Sequence, residues 1–320
     1  MKVILAGGGT AGHINPALAI ASIISEHYPD TEFLYVGTPN GMESRLVPKA
    51  GYNYASMKVS GFQRKLTIKN IARNVRTVAY LTMAGHRAKQ ILNEFKPDLV
   101  IGTGGYVSGP IVLKAAEMGI KAAIHEQNAF PGMTTKMLSK KVDLVMLTVP
   151  EAMEYLEKDI PYTVTGLPVR KGFSGMTREA ARRELGIAEG DIVVLSTGGS
   201  LGAGRINETV AELMEWETKN NVPINHIHSY GGMGKTTFLP DLKARGVDYE
   251  NNSRIRPKEY IDNMPVCMAA ADLVISRSGA NALSELEAMG RASILIPSPN
   301  VAGNHQYHNA MVLGKAGAAI

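Results

Sequence analysis

An apolar run that breaks into glycine occurs twice, at the head of each half of the chain. Val3-Ile4-Leu5-Ala6 leads into Gly7-Gly8-Gly9-Thr10, and Val193-Val194-Leu195-Ser196 leads into Thr197-Gly198-Gly199-Ser200. An aliphatic run closed by glycines and followed by helical periodicity predicts a strand, a tight turn and a helix. The same alternation predicts strands near Lys2–Ala6, Glu32–Val36, Leu99–Gly102, Ala122–His125 and Leu144–Thr148, then near Ile192–Thr197, Ile224–His228, Leu273–Ser276 and Ser293–Ile296. Near-continuous apolar strands belong to parallel sheets covered on both faces by helices. The class is therefore α/β, and 320 residues suit two Rossmann-like domains. Glycines and prolines between Pro161 and Gly175 place the junction there, dividing the chain into residues 1–165 and 166–320.

Composition narrows the function classes. A single cysteine, Cys267, excludes a disulfide framework and a cysteine zinc site, which suits a reducing cytoplasm. Val3–Ser25 carries no Lys, Arg, Asp or Glu, but Gly7–Gly9, Thr10, Gly12, His13, Asn15 and Pro16 interrupt it, so neither a membrane span nor a signal peptide is expected. The formal net charge is +5, and between Ser44 and Asn93 there are ten basic residues and no acidic one. Lys65, Lys69, Arg73 and Arg76 recur there at helical spacing beside an apolar stripe of Ile68, Ile71 and Val75. One reading is a helix packed on its own sheet with solvated lysines; the other is a face resting on anionic lipid headgroups. Nucleic acid is not expected, because aromatic content is only 6% and no stacking module is present.

Gly7–Gly12 matches the G-x-G-x-x-G pattern, ahead of a helix predicted from about Asn15–Pro16. A dinucleotide site also wants an acid at the end of the second strand, and Tyr35-Val36-Gly37-Thr38 offers none. Gly198–Ala203 makes a second such loop. Gly231-Gly232-Met233-Gly234-Lys235-Thr236 fails as a phosphate loop, since Ser229 stands where glycine is needed. Ser276–Glu285 opens a further helix whose N-terminal amides suit a diphosphate, with Glu285 about two turns on, ~10 Å along the axis, in reach of a ribose. No D-x-D pattern occurs, which favours a phosphate site without metal. Arg170 is then a candidate cation for the diphosphate, or an ordinary surface arginine. His13 is a candidate base, and His125-Glu126-Gln127-Asn128 crowds four polar groups into one connection after a strand.

Six segments together resemble the MurG family of bacterial transferases: Gly8-Gly9-Thr10-Ala11-Gly12-His13, Gly104–Pro110, His125–Asn128, Gly198-Gly199-Ser200, Arg277-Ser278-Gly279-Ala280 and His305-Gln306. The resemblance implies a GT-B fold with its two domains facing a central cleft. It implies inverting transfer of N-acetylglucosamine from UDP-N-acetylglucosamine to the 4-hydroxyl of undecaprenyl-pyrophosphoryl-N-acetylmuramyl-pentapeptide, at the cytoplasmic face of the cell membrane and without a cofactor. It implies that Ala280, Asn281, Ala282, Leu283 and Ser284 approach uracil and phosphates, that Ile261 flanks the uracil, and that Glu285 takes the ribose. Ser200 and Arg170 meet the diphosphate; Asn128, His305 and Gln306 address the sugar, with Thr10, Ala11 and Gly12 close by. His13 is the implied base with Glu126 in reserve, and Tyr106 and Ser108 line the acceptor side. Ala11, Leu201 and Leu167 stand where the family carries glycine, glutamine and asparagine, and family chains continue for about another helical pair beyond Ile320, so the chain reads as shortened. The alternatives are another UDP-sugar enzyme of the same fold, an epimerase or a transferase with a soluble acceptor, and an inactive membrane-associated sugar-nucleotide-binding module.

Overall fold

The computed structural model describes residues 1–59, 83–169, 172–173 and 175–320. The basic stripe (Lys65, Lys69, Arg73, Arg76, Ile68, Ile71, Val75) and Arg170 lie outside the described residues. The chain forms two compact units, Met1–Pro168 and Val169–Ile320.

The first unit runs β1 (Lys2–Gly7), α1 (Ala11–His27), β2 (Glu32–Gly37), α2 (Glu43–Lys49), β3 (Asn53–Ser56), α3 (83–95), β4 (Leu99–Gly104), α4 (Ser108–Glu117), β5 (Lys121–Glu126), α5 (Met133–Leu138), β6 (Leu144–Leu147) and β7 (Tyr162–Val164). Its strands form one parallel sheet in the order β3-β2-β1-β4-β5-β6-β7. The two-residue period of β1 sends Val3 and Leu5 into a core with Ile14, Ala17 and Ala21 of α1, and Ile4 and Ala6 into a core with Ile111 and Val112 of α4. Burial on both faces explains why the central strands read as unbroken apolar runs.

The second unit runs α6 (Arg178–Leu185), β8 (Ile192–Thr197), α7 (Gly204–Lys219), β9 (Ile224–Ser229), α8 (Gly231–Gly234), α9 (Phe238–Ala244), β10 (Ile255–Lys258), α10 (Met264–Ala270), β11 (Leu273–Ser276), α11 (Ala280–Met289), β12 (Ala292–Leu295) and α12 (His305–Lys315). Its parallel sheet has the order β10-β9-β8-β11-β12. Cys267 packs in the core of this unit, where burial pushes its thiol up to about 11.

Both sheets reverse direction of growth at their first strand: β1 lies between β2 and β4, and β8 between β9 and β11. In such sheets the crevice at the carboxyl ends of the strands flanking the reversal receives the ligand. The connections after β1, β4 and β5 in the first unit, and after β8, β10, β11 and β12 in the second, carry the candidate site residues that the structure describes, Glu285 among them on the helix after β11.

A buried polar layer separates β8 and β9 from α7. His226 Nδ1 meets both Glu217 carboxylate oxygens (3.0 and 3.1 Å), its Nε2 meets Ser196 Oγ (2.8 Å), and Ser196 Oγ meets His228 Nδ1 (2.8 Å). His228 Nε2 reaches Asn207 Oδ1 at 3.2 Å, and the Asn207 amide donates to the Tyr230 carbonyl at 2.9 Å. His228 Nδ1 also lies 3.1 Å from the Ser196 carbonyl, so Ser196 meets that nitrogen through both its hydroxyl and its backbone.

Candidate active site

The first glycine loop is tighter than its composition suggests. Helix α1 begins at Ala11, because the Thr10 carbonyl already accepts the amides of His13 (3.1 Å) and Ile14 (3.2 Å). The start expected at Asn15–Pro16 is therefore corrected: Pro16 lies inside α1, where it lacks only the N–H that would return to the Gly12 carbonyl. His13 thus stands in the first turn of a helix rather than in a free loop.

His13 is pinned from two sides. The Thr103 hydroxyl donates to the His13 carbonyl at 2.7 Å, fixing the helix start to β4. The ring nitrogen Nδ1 lies 3.0 Å from the Thr103 carbonyl and 3.2 Å from Gln127 Oε1. A carbonyl and an amide oxygen only accept, so Nδ1 carries a proton, and in the neutral ring the lone pair is on Nε2. Gly104 makes this possible: a β-carbon there would stand 2.6 Å from Nδ1, and its backbone has φ +104°.

The tetrad at the end of β5 divides by the strand's alternation. Glu126 and Asn128 share one side. The Glu126 carboxylate, 3% exposed, accepts the Asn128 amide (3.0 Å) and side chain (3.1 Å) through one oxygen, and the Gly132 amide (3.1 Å) and Thr135 hydroxyl (2.5 Å) through the other. Four donors fill the carboxylate, so its chemistry here is to hold the 126–135 connection and the start of α5, not to take a substrate proton. His125 and Gln127 share the other side. Burial holds His125 below the ordinary imidazole range, against opposing contributions from its bond to Gly166 and the charge of Glu126.

On the expected acceptor side the two residues part company. Tyr106 is 64% exposed, whereas Ser108 is 1% exposed and its hydroxyl donates back to the Gly105 carbonyl at 3.0 Å. Ser108 closes its own turn, so of the two only Tyr106 presents its side chain at the surface. Sequence reasoning also missed Glu43, a fully buried carboxylate that accepts the Gly9 amide at 3.1 Å. The signal was an acid five residues past Thr38, to which it returns through the Thr38 amide (3.0 Å) and hydroxyl (2.6 Å).

In the second unit, helix α11 starts at Ala280 with extended Gly279 before it, and its first amides have no intrahelical partner. Ala280, Asn281 and Ala282 are partly exposed in that first turn. Leu283 is buried in the core, as is Ile261, so any uracil contact there belongs to their backbones and neighbours rather than to their side chains. Ser284 and Glu285 are buried on the same helix. Gln306 is fixed beside this turn: its Oε1 accepts the Ser298 amide (2.8 Å), and its carbonyl accepts the Ser278 hydroxyl (2.7 Å). His305 Nδ1 donates to the Ala302 carbonyl at 2.9 Å. Ser200 is exposed in the loop after β8, and the neighbouring Gly199 amide donates to the Thr197 hydroxyl at 3.0 Å. Among the described residues no group of three or more His, Cys, Asp or Glu could hold a metal ion, and no helix is long and apolar enough to cross a membrane.

Two parallel α/β units, each with glycine loops and a helix start at the carboxyl edge of its sheet, define a glycosyltransferase of the GT-B fold. The glycosyltransferase family 28 N-terminal domain matches residues 3–147 and the family 28 C-terminal domain residues 193–320. A UDP-N-acetylglucosamine--N-acetylmuramyl-(pentapeptide) pyrophosphoryl-undecaprenol N-acetylglucosamine transferase of Acetivibrio thermocellus is 46% identical over 320 residues, covering 100% of this chain and 84% of the relative. A protein of the same name from Thermoanaerobacter sp. is 43% identical, covering 100% and 85%. The crystal structure of Acinetobacter baumannii MurG superposes with a TM-score of 0.77 at 29% identity, covering 99% of this chain and 84% of that one. The calicheamicin glycosyltransferase CalG4, at 16% identity and a TM-score of 0.67, shares the fold. The chain belongs to glycosyltransferase family 28 and, within it, to the MurG transferases.

Proposed function

We propose that the chain transfers N-acetylglucosamine, with inversion, from UDP-N-acetylglucosamine to the 4-hydroxyl of undecaprenyl-pyrophosphoryl-N-acetylmuramyl-pentapeptide, a step of peptidoglycan synthesis. The observation that carries this reading is 46% identity, over the full chain, to a transferase of that name. In the displacement, the acceptor oxygen bonds to the sugar's anomeric carbon, its proton passes to His13 Nε2, and the bond to the diphosphate breaks with its electron pair leaving on UDP. The ring geometry supports His13 as base, since Nδ1 is already committed as a donor. Glu126 is the clamp that shapes the Asn128 loop.

Developing charge on the diphosphate is met by the amides opening α11, by the loop of Ser200 and by Arg170. Glu285 takes the ribose, Asn128, His305 and Gln306 address the sugar, Thr10–Gly12 approach it, and Tyr106 faces the acceptor. The absence of D-x-D from the sequence supports transfer without a metal. The basic stretch that includes Lys65, Lys69, Arg73 and Arg76 supports peripheral attachment to an anionic membrane on its cytoplasmic face.

Turnover of lipid-linked acceptor in excess chelator tests the reading: product carrying the new sugar is expected, and no product with or without added divalent metal would sink it. Product analysis with donor alone separates an epimerase. Co-sedimentation with anionic vesicles, comparing the parent with Gln at the four basic positions, tests the attachment.

A further inference from the structure

A chain of hydrogen bonds with a single possible polarity ends on His13. It starts at the Gly166 carbonyl, which lies 3.0 Å from His125 Nε2 and can only accept, so Nε2 carries the His125 proton. His125 Nδ1 faces a nitrogen that already donates to a backbone carbonyl, so Nδ1 is an acceptor. The donor is the side-chain amide of Gln127, 3.1 Å away, which also donates to the His125 carbonyl at 2.8 Å. Those two bonds use the amide nitrogen and settle the orientation of the side chain. The opposite orientation would set Gln127 Oε1 against both the His125 carbonyl oxygen and the lone pair of His125 Nδ1. Oε1 therefore turns to His13 Nδ1, 3.2 Å away.

We propose that Gln127 is a positioning residue that holds His13 in the tautomer with its proton on Nδ1, presenting Nε2 as the base. The inference rests on the reading of His13 as the base. Gln127 is 4% exposed, so water cannot take over its part. In the other tautomer the Nδ1 lone pair would face two acceptors at once, the Thr103 carbonyl and Gln127 Oε1, and nothing on the chain between Gly166 and Gln127 could reorient to relieve them. The Thr103 carbonyl alone leaves the ring free to swing about that contact; the second acceptor, across 114 residues of sequence, fixes its plane. An amide suits this place where a carboxylate would also serve as acceptor but would favour the imidazolium, which has no lone pair to offer.

The test is a ring-nitrogen correlation spectrum of the full, ¹⁵N-labelled chain at alkaline pH, with the His13 signals identified by their loss in His13→Gln. In the parent, His13 is expected in the Nδ1–H pattern. Gln127→Glu, which keeps an acceptor oxygen, is expected to retain that pattern. Gln127→Leu is expected to mix the two tautomers and to lower kcat by about tenfold or more while KM for UDP-N-acetylglucosamine stays within about twofold. A parent spectrum in the Nε2–H pattern overturns the proposal whether or not any variant folds, and so does a Gln127→Leu variant that keeps both the Nδ1–H pattern and parental kcat. Parental turnover by His13→Gln overturns the reading of His13 as base alone, because the spectrum reports the tautomer independently of turnover.

Discussion

The Glu43 carboxylate and the Gly9 amide meet at 3.1 Å, so the first glycine loop is held by an internal anion. The matching amide of the second unit, Gly199, is held by a neutral hydroxyl, that of Thr197. Two loops of similar sequence thus differ in electrostatics: the first places a buried negative charge behind its backbone, which disfavours a diphosphate, and the second does not. That asymmetry agrees with assigning the diphosphate to the second unit and an acceptor hydroxyl to the first.

Replacing Glu43 by Gln is expected to destabilise the protein by about 1–3 kcal/mol, because the two amides sit on different oxygens and the new NH2 must face either that of Gly9 or that of Thr38. Burial opposes ionisation of Glu43, but the bonds from the Thr38 hydroxyl and amide and from Gly9 outweigh it and hold the carboxyl below its usual range. A lowered acid pKa means that the unfolded chain binds the extra proton first as pH falls. The stabilisation is complete above the ordinary carboxylate range and is lost as pH falls through the folded value. Urea unfolding at pH 7 and at stepped acid pH checks both points: the parent should lose more stability on acidification than Glu43→Gln, and equal losses would remove Glu43 from the account.

How much of this was legible in the sequence depended on burial. Central strands such as β1 and β8 announce themselves because both faces are covered and each carries an uninterrupted run of four apolar residues. The edge strands β3 (Asn53–Ser56), β7 (Tyr162–Val164) and β10 (Ile255–Lys258) are short and mostly part-exposed, and β10 carries Pro257, which an edge tolerates. None of the three has an apolar run to read. In the site, residue types such as His13 and the 125–128 tetrad could be singled out, but their partners could not. Gln127 reaches His13 across 114 residues and Glu43 reaches Gly9 across 34. No acid stands at the end of β2 up to Thr38, yet the chain folds Glu43 back to that point. The turn that the Ser108 hydroxyl closes on the Gly105 carbonyl was likewise not legible from residue types alone.

Gly104→Ala is expected to separate activity from folding. Its β-carbon would meet the His13 ring at 2.6 Å from Nδ1, and its φ of +104° strains any side chain. A stability cost of about 1–3 kcal/mol is expected from the backbone. Displacement of the ring is expected to lower kcat by about tenfold or more. Thermal unfolding and steady-state turnover measured on the same preparation check this, and a folded variant with parental kcat would refute the close packing of ring and loop.

His228 gives the second unit a pH dependence of opposite chemical origin to that of Glu43 and the same sign. Burial pushes its imidazole down to about 3, helped by the charge of His226 and opposed by its bond to the Ser196 backbone. The folded state keeps His228 neutral while the unfolded state protonates it near pH ~6.5. Stability from this group is therefore full above that value and declines as pH falls toward 3, with a slope approaching ~1.4 kcal/mol per pH unit. Denaturant unfolding between pH 7 and pH 4 should show a shallower decline in His228→Gln than in the parent, even though the variant starts from lower stability. An unchanged slope would mean that His228 takes up its proton in the folded state.

Glu285 carries the most specific expectation for the donor. It is buried on α11, five residues beyond Ala280, which places it ~7.5 Å along the axis from the amides that open the helix. A carboxylate that accepts both ribose hydroxyls contributes charge-assisted bonds, and removing it is expected to weaken UDP binding by about 10- to 100-fold. General damage to the helix would weaken every nucleotide alike, so the comparison that decides is UDP against its 2′,3′-dideoxy analogue. The parent should prefer UDP strongly, and Glu285→Ala should bind the two almost equally while holding the dideoxy compound about as well as the parent does. If calorimetry instead gives the same loss for both ligands, the ribose assignment fails and Glu285 is a structural part of the helix.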